Sequence, residues 1–220
     1  MEALASLIEQ ARDGRIQVPE FQRAVRAEDS WIRSLLASVS LGYPIGALSL
    51  LDAGNPDYRF AATPLVDSVP PGRAPERLLI DGRHRLTSLV QVLGAGGRAL
   101  TYDASSNPIE RWYFIDIDAA LDPGTDRDNA IRSSLRTVAI EAACKRRHFP
   151  FGLVFDADFT RWRAGIGDAD LVDRFVAAVV EPIRSFAIPT IGVGRDRTRW
   201  SVRVHGGAEG PSLSDRYRAE

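Results

Sequence analysis

Apolar positions recur along the chain in two rhythms. Leu4, Leu7, Ile8 and Ala11 repeat at helical spacing, so residues 2–13 predict a helix that Gly14 ends. Ile16 to Val18 reads as a short strand. Trp31, Ile32, Leu35, Leu36 and Val39 make a second helical face, which Asp29 or Ser30 can cap and Gly42 stops. In this pattern Trp31 belongs to the core, the alternative being a base-stacking platform. Ala47 to Leu51 reads as a strand. Leu78-Leu79-Ile80 is a short apolar run of the buried-strand kind; Asp81 and Gly82 break it, and Leu86, Leu89, Val90 and Leu93 resume helical spacing up to Gly94.

The second half continues in the same way. Trp112 to Ile117 predicts a strand, and residues 126–147 predict a helix or helix pair ending in Lys145-Arg146-Arg147-His148. Phe149, Phe151 and Phe155 alternate with apolar neighbours as a core segment does. Phe159 and Trp162 fall on a short helix. Leu171, Val172, Phe175, Val176, Val179 and Val180 give residues 168–181 the clearest amphipathic pattern in the chain. Phe186 to Val193 predicts a strand, with Pro189 placing it near an edge or a strand start. Residues 52–76 break the rhythm with Pro56, Pro64, Pro70, Pro71 and Pro75, and read as a loop or flap with a hairpin near Tyr58 to Phe60.

Composition narrows the function classes. With 220 residues, 45% hydrophobic and 26% charged, the chain suits one substantial domain, with or without a subdomain. A formal net charge of −1 supplies no overall pull toward nucleic acid, so any DNA contact must come from a local patch such as Lys145–His148. A single cysteine, Cys144, excludes an intrachain disulfide and a cysteine-rich zinc site, and its neighbours predict a packed thiol. No signal-peptide pattern opens the chain and no apolar run could span a bilayer, so the expected location is the cytoplasm, with no membrane contact.

The chemistry gathers at the strand–turn–helix Arg77 to Leu89. A helix start exposes unpaired N–H groups and the positive dipole end, which attract anions. Gly82 allows close backbone approach, Arg83 and Arg85 can fork onto phosphate oxygens, and Asp81 can hold Mg²⁺ or a sugar hydroxyl. The plainer alternative is that Asp81 caps the helix while the arginines face water. In Pro19 to Arg23 there is no apolar periodicity, so Gln22 and Arg23 are free to face a ligand. Alternatively, Phe21 anchors a surface loop and Arg23 pairs with an acid. Asp116 and Asp118 invite a metal reading, against which stands a solvated strand end.

Three stretches then occur in a telling order: Val18-Pro19-Glu20-Phe21-Gln22-Arg23, Gly42-Tyr43-Pro44-Ile45-Gly46, and Asp81-Gly82-Arg83-His84-Arg85-Leu86-Thr87-Ser88-Leu89. This arrangement resembles the N-terminal domain of the GmrSD-type, modification-dependent restriction endonucleases. The resemblance implies an α+β, ParB/sulfiredoxin-like fold, a small mixed sheet with packed helices over residues 1–194. Residues 195–220 would be a C-terminal extension or the start of a following region. It further implies a nucleoside triphosphate of unknown base with Mg²⁺ as cofactors. Asp81 would hold the metal. Asp81, Arg83, His84 and Arg85 would serve catalysis, and Gln22, Arg23, Gly82, Thr87 and Arg203 would bind nucleotide. Arg203 and His205 enter through a looser match of the Trp200–Gly207 tail to a later family motif, in which His205 replaces an asparagine.

Two departures qualify what the resemblance implies. Arg83 and His84 stand where the family carries a glutamine pair, so a fixed charge replaces a neutral donor–acceptor. Nucleotide binding can gain from that charge, whereas orienting a water for hydrolysis calls for a neutral acceptor, which His84 offers when uncharged. The family's full-length members also cut DNA with a separate HNH-type nuclease domain, and the three histidines here, His84, His148 and His205, lie in different segments. The expectation is a nucleotide-binding, and candidate nucleotide-hydrolysing, part of a defence system acting on foreign or modified DNA. A partner would supply the nuclease. The alternatives are a non-catalytic module that binds DNA or protein, and a domain in which Asp81 and Arg85 form only an internal ion pair.

Overall fold

β1 (Glu2–Ala3) leads into α1 (Leu4–Arg12), which buries Leu4, Leu7, Ile8 and Ala11, the face its spacing predicts. Gly14 then turns the chain at φ 72°. β2 (Ile16–Pro19), α2 (Asp29–Ser40), β3 (Leu48–Asp52), β4 (Ala62–Pro64) and β5 (Arg77–Asp81) come next in the chain. α3 (Arg83–Leu89) runs on through a π-helical turn, Val90–Gly94. After it stand β6 (Arg98–Tyr102), β7 (Pro108–Asp116), α4 (Ile117–Leu121), α5 (Arg127–Ala130), β8 (Ile131–Ser134), α6 (Ile140–Lys145) and β9 (His148–Pro150). α7 (Phe159–Ile166) precedes α8 (Ala169–Phe175), which passes through another π-helical turn into α9 (Glu181–Arg184). β10 (Ala187–Ile188), β11 (Thr190–Val193) and β12 (Val202–Val204) complete the elements. This computed structural model describes residues 1–54, 60–67, 69, 72–94, 96–103 and 105–193, and the backbone of 202–204.

The fold is α+β. Six strands form a mixed sheet in the order β12-β11-β3-β5-β2-β4. Near its centre β5 runs parallel to β2 and antiparallel to β3. A second, antiparallel sheet is built on β7, which pairs with β6, β8 and β9. One buried apolar cluster runs from Leu4 to Ile188 and includes residues of both sheets. In its second half Trp162 is wholly buried, lies edge-on to Phe149 at 4.7 Å between centroids, and donates its indole N–H to the His148 carbonyl at 2.9 Å. Cys144 is the packed thiol its neighbours predict. Among the described residues no helix is long and apolar enough to cross a membrane.

Several expectations change. Residues 126–147 do not form a helix pair throughout, because Ile131–Ser134 pairs with Trp112–Ile115 of β7. The long-range ladder and the full burial of Ile131 override local spacing. α2 starts without a side-chain cap. Instead of capping, Asp29 reaches Arg33 at 3.4 Å and Arg111 at 4.0 Å. Trp31 sits in the first turn of α2 at 39% exposure, outside the core face made by Ile32, Leu35, Leu36 and Val39. Residues 186–193 divide at Pro189, so that β10 pairs with β1 while β11 joins β3 and β12. The expected hairpin at Tyr58 to Phe60 falls mostly on 55–59, outside the described residues, but β4 emerges from the same proline-rich stretch and pairs with β2.

Ile80 departs from the buried strand for a reason that matters to the site. Leu50 pairs with Leu79, and Ser49 pairs with Asp81, so Ile80 is an extra residue in the ladder. Such a bulge bends the strand and re-aims the residues beyond it. Ile80 is accordingly 40% exposed, and Asp81, paired with Ser49, ends the strand directly after it.

At the other end of β5, Arg77 grips the chain's first strand, donating to both Glu2 carboxylate oxygens at 2.7 and 2.8 Å. This bond to Arg77 holds the Glu2 carboxyl below its ordinary value of 4.5. A lowered carboxyl contributes stability that is fully present above the ordinary value and disappears as pH falls through the lowered one. Glu2→Gln should therefore be less stable than the parent at neutral pH, with the gap closing in acid. Urea unfolding of both proteins from neutral pH down to about pH 3 checks this window.

Candidate functional site

Three distant segments meet around Gly82 because side chains from two of them donate to backbone carbonyls of their neighbours. Gln22 Nε2 donates to the carbonyls of Leu79 and Ile80 at 2.7 and 3.1 Å. The bulge at Ile80 leaves that carbonyl available. In return, Arg83 Nη1 donates to the carbonyls of Gln22 and Arg23 at 2.8 and 2.7 Å. Arg85 Nη1 reaches the Ile45 carbonyl at 2.6 Å, and its Nη2 reaches Asp81 Oδ2 at 3.3 Å. Residues 19–23, 42–46 and 81–89 are thereby held as one unit.

Glycines make this fit. Gly82 opens α3 at φ 94°, and a Cβ there would lie 2.3 Å from Leu48 Cδ2. Gly46, at φ 88°, would place a Cβ 2.5 Å from Arg85 Nη1. Neither position tolerates a side chain without moving the arginine or the sheet. Asp81 does not cap α3; it is the last residue of β5, and the helix begins without a side-chain cap. The N–H groups of the first turn have no partner within the helix, and Gly82 itself is buried.

The remaining candidates divide by exposure. The Asp81 carboxylate is 72% exposed despite its contact with Arg85. Arg23 and His84 are exposed. Arg83 is half-buried, its Nε is buried without a partner, and burial pushes its pKa down from the usual arginine value. Thr87 is buried at 5% exposure, and its hydroxyl, like that of Ser88, has no hydrogen-bond partner. Arg203 lies opposite Gly192 in β12, but its side chain is outside the described part of the molecule, as is all of His205.

This constellation can be compared with known families. A model described as the GmrSD restriction endonuclease N-terminal domain matches residues 4–155. The chain belongs to this family. The matched region contains all three bracketed segments of the GmrSD-type domain, whereas α7, α8, α9 and the strands after them lie beyond it. Comparison with curated proteins finds no match.

Two aromatic side chains beside these segments of the GmrSD-type domain are not among the site residues expected from sequence. Trp31, assigned to the core by helical spacing, stands with its ring perpendicular to that of His84, centroids 6.4 Å apart and planes at 89°. The only hint was its place at the helix start, where a periodic face is least constrained. Phe60 meets Phe21 edge-on at 5.1 Å, so Phe21, at 65% exposure, is an outward-facing ring and not a buried anchor. Asp116 accepts from Ala119 N–H as a helix cap, and Asp118 pairs with Arg147 at 3.2 Å. Among the described residues there is no group of three or more His, Cys, Asp or Glu able to hold a metal by themselves.

The division into bracket and ligand-facing residues has a direct consequence for stability. Arg85→Ala removes a partly buried, charge-assisted bond and should cost about 1.5–3 kcal/mol. Arg23→Ala removes an exposed side chain whose backbone carbonyl, not its guanidinium, serves the bracket, and should stay within about 0.5 kcal/mol. Urea midpoints of the two variants, measured side by side, check the contrast.

Proposed function

We propose that this domain binds a nucleoside triphosphate with Mg²⁺ at the turn Asp81–Arg85, as the nucleotide-sensing part of a restriction system directed at foreign or modified DNA. The observation that carries the reading is the bracketing itself. It leaves the side chains of Asp81, Arg23 and His84 exposed on segments tied together beside a left-handed glycine at a helix start. In this reading the backbone at Gly82 and the first turn of α3 receive phosphate, and Arg23 supplies a charge with its fork unoccupied. Arg83, with Nη1 engaged by two carbonyls, keeps its charge uncompensated at the turn, whereas Arg85, tied to Ile45 and paired with Asp81, mainly positions it. Gln22 sets the loop that carries Arg23. In this reading the buried Thr87 supports α3 from within and does not touch the nucleotide.

A lone exposed carboxylate fits Mg²⁺, which is commonly bound by one or two carboxylates together with substrate phosphates and water. Asp81 would hold it, and the ion would offset phosphate charge when bound. DNA and a separate nuclease domain are the partners in this proposal, with DNA cleavage lying outside this domain. Calorimetric titration with each of the four common ribonucleoside triphosphates, Mg²⁺ present, should show binding of at least one. Arg23→Ala should weaken it, with its fold intact by melting. Absence of binding by all four removes the reading.

A second reading has its own observation. The Asp81–Arg85 contact and the engagement of Arg83 Nη1 and Arg85 Nη1 by backbone carbonyls are what an interaction module without catalysis would retain. Phosphate release separates the two: a rate abolished in Asp81→Ala supports hydrolysis, and equal background in both proteins supports the module.

A further inference from the structure

Five aromatic side chains are markedly exposed among the described residues: Phe21, Trp31, Tyr43, Phe60 and Phe155. Four of them flank the bracketed site. Phe21 precedes Gln22, whose amide is tied to β5, and Phe60 packs on Phe21. Tyr43 is two residues before Ile45, whose carbonyl Arg85 holds. Trp31 meets His84, the second residue of α3. Phe21 and Phe60 form one exposed pair, and Trp31 forms another with His84 of the cationic turn itself, which suits a flat partner there.

We propose that a nucleobase stacks in the corner between Trp31 and His84. This rests on the nucleotide reading for its phosphate end, and it adds the group that recognises the base. The two rings stand at 89° with centroids 6.4 Å apart. A planar heterocycle can lie flat on one ring while presenting its hydrogen-bonding edge to the other. His84 comes two residues after Gly82, about 3 Å of helix rise, so a phosphate at the turn and a base at Trp31 fall within one nucleotide's reach. The adjoining charge suits the same occupant, since Arg23 is exposed and Arg83 is engaged only by neutral carbonyls. Stacking on an indole tolerates every base because each has a π-face. The same corner could take the base of a free nucleotide or one from a single strand, and the choice of titrants distinguishes these sources.

The test compares wild type, Trp31→Ala and Trp31→Phe with Mg²⁺ present. Each is titrated with the four ribonucleoside triphosphates, inorganic tripolyphosphate and oligothymidylate, by calorimetry and tryptophan fluorescence. Trp31 is partly exposed in the first turn of α2, so its variants should melt like the parent. The expected result is nucleotide binding about tenfold weaker in Trp31→Ala, largely restored in Trp31→Phe, with tripolyphosphate binding unchanged. Nucleotide-induced quenching should vanish in Trp31→Phe. If only oligothymidylate depends on Trp31 and no nucleotide binds, the base comes from DNA; the stacking site stands and the triphosphate reading falls. If Trp31→Ala binds every titrant as wild type does, the stacking site is overturned and the triphosphate reading survives. If nothing binds to any of the proteins, both are overturned.

Discussion

The site depends on side chains donating to main-chain carbonyls across long sequence separations. Gln22 reaches β5, Arg83 reaches back to the segment holding Gln22, and Arg85 reaches the turn before β3. Segments 20–23 and 42–46 have no regular secondary structure to fix them. Buried or half-buried carbonyls must find donors, and here long side chains supply them where no strand or helix does. The reciprocal bonds between 22–23 and 79–83 make either segment's position contingent on the other. Strand β5 is the shared reference: it is central in the sheet, and its bulge at Ile80 frees the carbonyl that Gln22 uses.

That constraint explains what could be read in the sequence and what could not. The strand–turn–helix at 77–94 was legible because an apolar run, a glycine and helical spacing succeed one another without interruption. α1 and the long helix through α8 were legible for the same reason, and in the structure Asp168 caps the latter by accepting from Leu171 N–H. The residues of the site were visible as types, but their division of labour was not. Whether an arginine fork faces solvent or a distant carbonyl depends on tertiary placement that no local pattern encodes. Ile131–Ser134 shows the same limit in the scaffold, since its strand character comes from pairing with β7. Trp31 fits a helical face by spacing and leaves it because the first turn of α2 lies at the rim of the core.

The two glycines of the site serve one guanidinium from opposite sides. A Cβ on Gly46 would collide with Arg85 Nη1, and one on Gly82 would lie 3.3 Å from Arg85 Nη2 besides striking Leu48. A glycine in one segment is therefore required by an arginine in another. The planar fork is what makes this possible, because it donates in two directions at once, to Ile45 and to Asp81. A lysine ammonium carries the charge but not that geometry.

The electrostatics of the turn depend on which partners are charged. Arg85 faces Asp81, so their charges largely cancel at a distance. Arg83 faces only carbonyl oxygens, and its charge stays uncompensated in a half-buried setting where screening by water is weaker. Burial lowers its pKa, but an arginine begins so high that it stays protonated in the physiological range. This is the position where the family carries a neutral glutamine. Substituting arginine keeps a donor for the bracket and adds a fixed positive field at the start of α3, in line with the helix dipole's own sign. The change that weakens the case for hydrolysis at this position thus strengthens the case for holding an anion there.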